Sequence, residues 1–158
     1  MIKDLAIIII GDQNVGKTTT IRRVVDVYHI HKKVTLLKKG MRYGLSPFTP
    51  TLNMVKIDAY ILPSSPTESG IPLSKSIADV GWDPHLIIMA EQRNGKEYSN
   101  SINLLRAKDY HIKEFNINNI EELPIWSKWK DVDAMNLKLH YRTEEVMDYI
   151  RGFILNRI

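Results

Sequence analysis

Leu5-Ala6-Ile7-Ile8-Ile9-Ile10-Gly11-Asp12-Gln13-Asn14-Val15-Gly16-Lys17-Thr18 decides how this chain folds. Its first six residues are apolar without a break and rich in isoleucine. Such a short run, closed by a glycine, predicts a strand buried on both faces, the habit of a central strand in a parallel sheet. Beyond the polar loop, Ile21, Val24, Val25 and Tyr28 recur at i, i+3, i+4 and i+7. That spacing paints one face of an amphipathic helix, expected from about Lys17 to His29.

Working outward, Val34–Leu37 predicts a second strand, and Lys38–Asn53, with Gly40, Gly44, Pro47 and Pro50, predicts mostly loop. Met54–Leu62 alternates, with Val55, Ile57, Ala59 and Ile61 on one face and Lys56, Asp58 and Tyr60 on the other. This pattern predicts a half-buried strand near a sheet edge. Pro63–Gly70 reads as a turn-rich loop, Ser74–Val80 as a short helix stopped by Gly81, and Asp83-Pro84 as a turn. His85–Glu91 is a second buried strand, Tyr98–Lys108 a helix with Ile102 and Leu105 inward, and His111–Phe115 a further strand. Residues 117–136 read as irregular. A last helix is expected from Thr143, as N-cap, to Asn156, with Glu144 and Glu145 in its first turn and Val146, Ile150, Phe153 and Ile154 facing the core. Strands alternating with helices define an α/β fold, a three-layer sandwich with a mostly parallel central sheet. Ligands in such sheets sit at the carboxyl ends of the strands, where the glycine loop falls.

Gly11-Asp12-Gln13-Asn14-Val15-Gly16-Lys17-Thr18 matches G-x-x-x-x-G-K-[ST] at every fixed position. Gly11 lets the chain leave the strand sharply. Gly16 adopts backbone angles closed to other residues and lets an anion approach. The loop then offers successive N–H groups, reinforced by the positive end of the following helix, to phosphate oxygens. Lys17 is a mobile cation for β- and γ-phosphates, and the Thr18 hydroxyl is a hard oxygen ligand suited to Mg²⁺. With the strand before it and the helix after it, the stretch resembles the P-loop NTPase superfamily. The resemblance is specific over residues 5–30 and rests elsewhere on the order of elements. Thr19 extends the motif to the G-K-T-T form found in several branches.

The resemblance implies a single nucleotide-binding domain over 1–158 and an acidic residue at the end of a second buried strand. Glu91, after Leu86-Ile-Ile-Met-Ala90, fills that position, and the resemblance gives it a role in holding Mg²⁺ or orienting water. The usual residue there is Asp, so the match is partial. Asp58 sits mid-strand on the polar face, and Asp83 belongs to a turn. No N-K-x-D signature supports guanine, so ATP is the expected nucleotide, with GTP still open. No D-x-x-G switch, arginine finger or large helical lid is evident.

Arg93, in the loop Gln92–Lys96 after the Glu91 strand, is a candidate phosphate clamp through its guanidinium fork. Ser64, Ser65, Thr67 and Glu68 follow another strand and are candidates to line the same cleft, although hydroxyls in a proline-rich loop are commonly turn formers. Trp126 and Trp129 fit core cover better than a partner patch.

The chain has 158 residues, 44% hydrophobic and 25% charged, with no cysteine. That excludes a disulfide scaffold, thiolate metal sites and a cysteine nucleophile. The five histidines show no metal-ligating spacing. The apolar run at residues 5–10 is too short to cross a bilayer, so a cytoplasmic protein without membrane contact is expected. The net charge is +4. Lys32, Lys33, Lys38, Lys39, Arg42 and Lys56 fall in a stretch without a carboxylate, and subtracting those six charges leaves −2 for the rest. This basic 32–56 segment suits a nucleic-acid or protein partner, though a solvated face is the plainer explanation. Three activities fit the residues. The first is Mg²⁺-dependent hydrolysis of ATP, the second is transfer of its γ-phosphate to a nucleoside or nucleotide, and the third is nucleotide-regulated binding. A homo-oligomer is compatible with each.

Overall fold

The computed structural model describes residues 4–12, 15–27, 31–37, 40–45, 57–81, 83–117 and 132–155. Along the chain these form β1 (Leu5–Gly11), α1 (Lys17–Val27), β2 (His31–Leu37), β3 (Gly40–Leu45) and β4 (Ile57–Leu62). There follow α2 (Pro66–Ser69), α3 (Leu73–Val80), β5 (Leu86–Gln92), α4 (Tyr98–Ala107), β6 (His111–Asn116) and α5 (Val132–Leu155). One six-stranded sheet runs β2-β3-β4-β5-β1-β6. Its four strands β4, β5, β1 and β6 are parallel, and β3 and β2 add an antiparallel extension.

β1 lies between β5 and β6 and is buried along its whole length. Its side chains alternate between two cores. Leu5, Ile7 and Ile9 pack with Ile21 and Val24 of α1 and Val146, Met147 and Ile150 of α5. Ala6, Ile8 and Ile10 pack with Leu73, Ile77 and Val80 of α3 and Ile102 and Leu105 of α4. Two helices thus cover each face of the parallel strands, the expected three-layer arrangement, and each buried Leu or Ile contributes roughly 1.5–3 kcal/mol. α1 leaves β1 over one face, whereas α4 leaves β5 over the other. The carboxyl ends of β1 and β5 therefore flank a topological switch point, the place where open α/β sheets receive ligands.

Four expectations need correction. β4 is not a half-buried edge strand. It lies between β3 and β5, and Ala59, Tyr60, Ile61 and Leu62 are all buried. Tyr60, read as polar-facing, joins the α3–α4 core. Residues 40–45, read as loop, form β3, because pairing with β2 and β4 on both sides satisfies a backbone that contains two glycines. Pro63–Gly70 contains the helical turn α2, capped by the Ser65 side chain, which accepts from Glu68 N at 3.0 Å. The last helix begins at Val132, so Thr143 is not its N-cap. Thr143 is buried mid-helix, and its hydroxyl donates to Leu139 O at 2.7 Å. Glu144 and Glu145 accordingly lie away from the helix start.

Lys38, Lys39, Lys56, Trp126 and Trp129 lie outside the described residues, as do Gln13 and Asn14. Lys32, Lys33 and Arg42 are placed only as backbone positions in β2 and β3. Among the described residues no helix is long and apolar enough to cross a membrane.

Candidate functional site

The loop after β1 is held at both ends. A Cβ on Gly11 would fall 2.5 Å from Ile117 O and 2.5 Å from Val15 Cγ2, so only glycine fits where the loop folds back against the end of β6. Gly11 O accepts from Arg93 N at 3.2 Å, which ties the loop to the segment after β5. At the other end Gly16 has φ +93°, a left-handed conformation that glycine adopts without steric penalty. Its carbonyl accepts from Thr20 N at 2.9 Å and from Thr20 Oγ1 at 2.8 Å, which starts α1 at Lys17.

Lys17 is buried, and its side chain turns back over its own loop. Nζ donates to Asp12 O at 2.7 Å and to Gly11 O at 3.1 Å. Glu68 Oε1 lies 3.7 Å from the same nitrogen and also accepts from Gln92 Nε2 at 3.3 Å. Burial pushes the Lys17 ammonium below its ordinary value, opposed by Glu68 first, then Asp12 and Glu91. A cation is thus concentrated at the mouth of a loop and a helix N-terminus, held mainly by backbone carbonyls. The first N–H groups of α1 have no partner within the helix, as at any helix start. Thr18 is half-buried and donates through Oγ1 to Pro63 O at 2.9 Å, across to the end of β4. Thr19 is also half-buried, and Asp12 is exposed.

Glu91 ends the apolar run of β5, and in register it lies beside Ile10. It is 0% exposed. Its Oε1 accepts from Gln92 N at 2.8 Å, whereas Oε2 is buried with no hydrogen-bond partner. Thr67 of α2 and Gly95 of the loop after β5 lie beside this carboxyl. A Cβ on Gly95 would collide with Thr67 Oγ1 and reach Glu91 Oε1, and Thr67 Oγ1 accepts from Glu97 N at 3.2 Å. Burial raises the Glu91 pKa above the ordinary glutamate value, against hydrogen bonds from Thr67 and Gln92 that lower it.

Gly11, Asp12, Val15, Gly16, Lys17, Thr18 and Thr19 therefore lie where β1 passes into α1, and the segment after β5 is bonded to Gly11. Arg93 contributes its backbone to that bond, while its side chain is exposed. Glu91 is close enough to influence Lys17, yet the carboxylate in contact with Lys17 is Glu68. Sequence reasoning placed Glu68 in the cleft without giving it this role. A signal was present, because Ser65-Pro66-Thr67-Glu68 has the S-x-x-E spacing of a capping box, with proline at the first helical position. That spacing marks a helix start and puts Glu68 over the carboxyl end of β4. Its carboxylate reaches Lys17 and Gln92.

Among the described residues there is no group of three or more His, Cys, Asp or Glu able to hold a metal. A Mg²⁺ ion that arrives with phosphates needs no such cage, since phosphate and water oxygens complete its shell. The hydroxyl of Thr18 and the carboxylates of Glu68 and Glu91 are hard oxygen donors of the type that ion takes. Compared with known protein families, curated proteins and solved structures, the chain matches none.

Proposed function

We propose that this chain is a small P-loop NTPase that binds a nucleoside triphosphate, ATP in the first instance, with Mg²⁺ in the loop Gly11–Thr18, and hydrolyses it. The observation that carries this reading is the buried Lys17 ammonium, drawn over its own loop onto the Gly11 and Asp12 carbonyls. Phosphate oxygens are stronger acceptors than carbonyls for such a cation. A triphosphate at the loop would take over Lys17 while the loop amides and the α1 dipole bind its charge.

In this reading Gly16 and the first amides of α1 bind phosphate, and Lys17 neutralises charge on the group being transferred. Thr18, whose hydroxyl here donates to Pro63 O, would be the protein's hydroxyl ligand to the metal. Mg²⁺, when bound, neutralises the phosphates. Glu91 keeps the role of orienting water or the metal, and Glu68, beside Lys17, shares it. Arg93 clamps phosphate from the loop after β5.

The test is a nucleotide-binding and phosphate-release assay, with ATP and GTP, with and without Mg²⁺, on the parent and Lys17→Ala. The parent should bind Mg²⁺–ATP and release phosphate into water. Lys17→Ala should weaken binding by about tenfold or more, as expected for a lost hydrogen bond to a charged group. Equal affinity in the two proteins would remove the basis of the reading. Phosphate release only when a nucleoside or nucleotide acceptor is added would replace hydrolysis with transfer.

A further inference from the structure

The back of the loop is held by a residue from the far end of the chain. Arg142 of α5 is 8% exposed, and its NH1 donates to Val15 O at 2.8 Å. No peptide bond among the described residues is cis. In a planar trans peptide the carbonyl and the following N–H point in opposite directions. Holding Val15 O toward α5 therefore turns the Gly16 N–H away from α5, to the other side of the loop. The next peptide is fixed from the other direction. Gly16 O is held by Thr20 N and Thr20 Oγ1 within the first turn of α1, so the Lys17 N–H points out of the helix N-terminus. Gly16, at φ +93°, joins the two settings.

From this geometry we infer that Arg142 is a positioning residue for the phosphate loop: by fixing the Val15–Gly16 peptide from behind, it aims the Gly16 amide at the anion. The inference rests on the proposed phosphate-binding role of the loop. A guanidinium is a costly choice for a buried packing position, since burial alone lowers its pKa to about 10. An apolar side chain of similar size would fill the space but would leave Val15 O buried and the peptide free to turn. A cation behind the loop also favours an anion in front of it.

The experiment compares the parent, Arg142→Met and Arg142→Lys. Affinity for Mg²⁺–ATP is measured by calorimetry, and amide hydrogen exchange of the peptide covering residues 11–18 is measured in the nucleotide-free proteins. Arg142→Met should lose about tenfold in affinity, the usual scale for a hydrogen bond from a charged donor. Exchange over 11–18 should accelerate while that of β1 and β5 is unchanged. Arg142→Lys, which keeps a donor and a charge, should recover most of both. Parent-like binding and exchange in Arg142→Met would overturn the inference, as would an Arg142→Lys protein no better than Arg142→Met. If Arg142→Met does not fold, Arg142→Gln takes its place, keeping a donor but losing the charge and the reach: weaker binding with faster exchange over 11–18 supports the inference, and parent-like binding and exchange overturn it. A parent that binds no nucleotide would defeat the proposed function, and the exchange measurement would then decide the role of Arg142 in loop conformation by itself.

Discussion

Of the carboxylates near Lys17, Glu68 and Glu91 differ most plainly in solvation. Glu68 has a third of its side chain in water, whereas Glu91 is sealed among Thr67, Gln92 and Gly95. Burial raises the Glu91 pKa, so between the ordinary value of 4.5 and its folded value the native state keeps a proton that the unfolded chain has released. Stability from this group is complete below that window and falls as pH rises through it. Glu91→Gln, which cannot ionise, should flatten the decline of melting temperature with pH in this range, and curves that stay parallel would show that Glu91 is solvated in solution. Gly11 gives a second residue-scale prediction. Gly11→Ala pushes a methyl against the backbone oxygen of Ile117, which cannot swing aside as a side chain could. The expected loss is about 1–3 kcal/mol by urea unfolding, the range for overpacking. The fixed residues of the loop were legible in the sequence because their spacing is local. The Glu68 contact and the Arg142 anchor were not, because each joins positions brought together only by the sheet order.

Among the elements, the two central strands were the plainest to read. β1 and β5 carry unbroken apolar runs because both sheet faces are covered, and α3, α4 and β6 were placed close to their observed bounds. α5 shows the opposite case. Its first half exposes two large apolar residues, Leu137 at 54% and Tyr141 at 65%, while Leu139 between them is buried. Apolar residues at 135, 137, 139 and 141 then mimic alternation and hide the helical period. β3 was hidden by its glycines, since a strand paired on both sides tolerates residues that a lone segment does not. The helical start at Val132 makes a sharp prediction. Leu139, placed by α5 against the core, should cost about 2–5 kcal/mol when truncated to Ala, the range for a buried leucine. A change within about 0.5 kcal/mol, as at an ordinary surface position, would mean that the first half of α5 does not pack Leu139 against the core.

At the scale of the whole molecule, the site is an assembly of strand ends that the sheet brings together. Gly11 needs the end of β6, Thr18 bonds to the residue after β4, the loop carbonyl bonds to the residue after β5, and Val15 is held from α5. These partners span positions 11 to 142, so the unfolded chain has no such site. A ligand that binds the folded chain alone adds its binding free energy to stability, about 2.7 kcal/mol at a concentration one hundred times its Kd. For a domain of this size that corresponds to a rise of roughly 5–10 °C in melting temperature. Mg²⁺–ATP should produce this rise in the parent, and the shift should grow with the logarithm of nucleotide concentration. Lys17→Ala should need about tenfold more nucleotide for the same shift, since it removes one charged contact and leaves the assembly of strand ends intact. A parent whose melting temperature ignores nucleotide at every concentration would mean that this meeting of strand ends serves the fold alone.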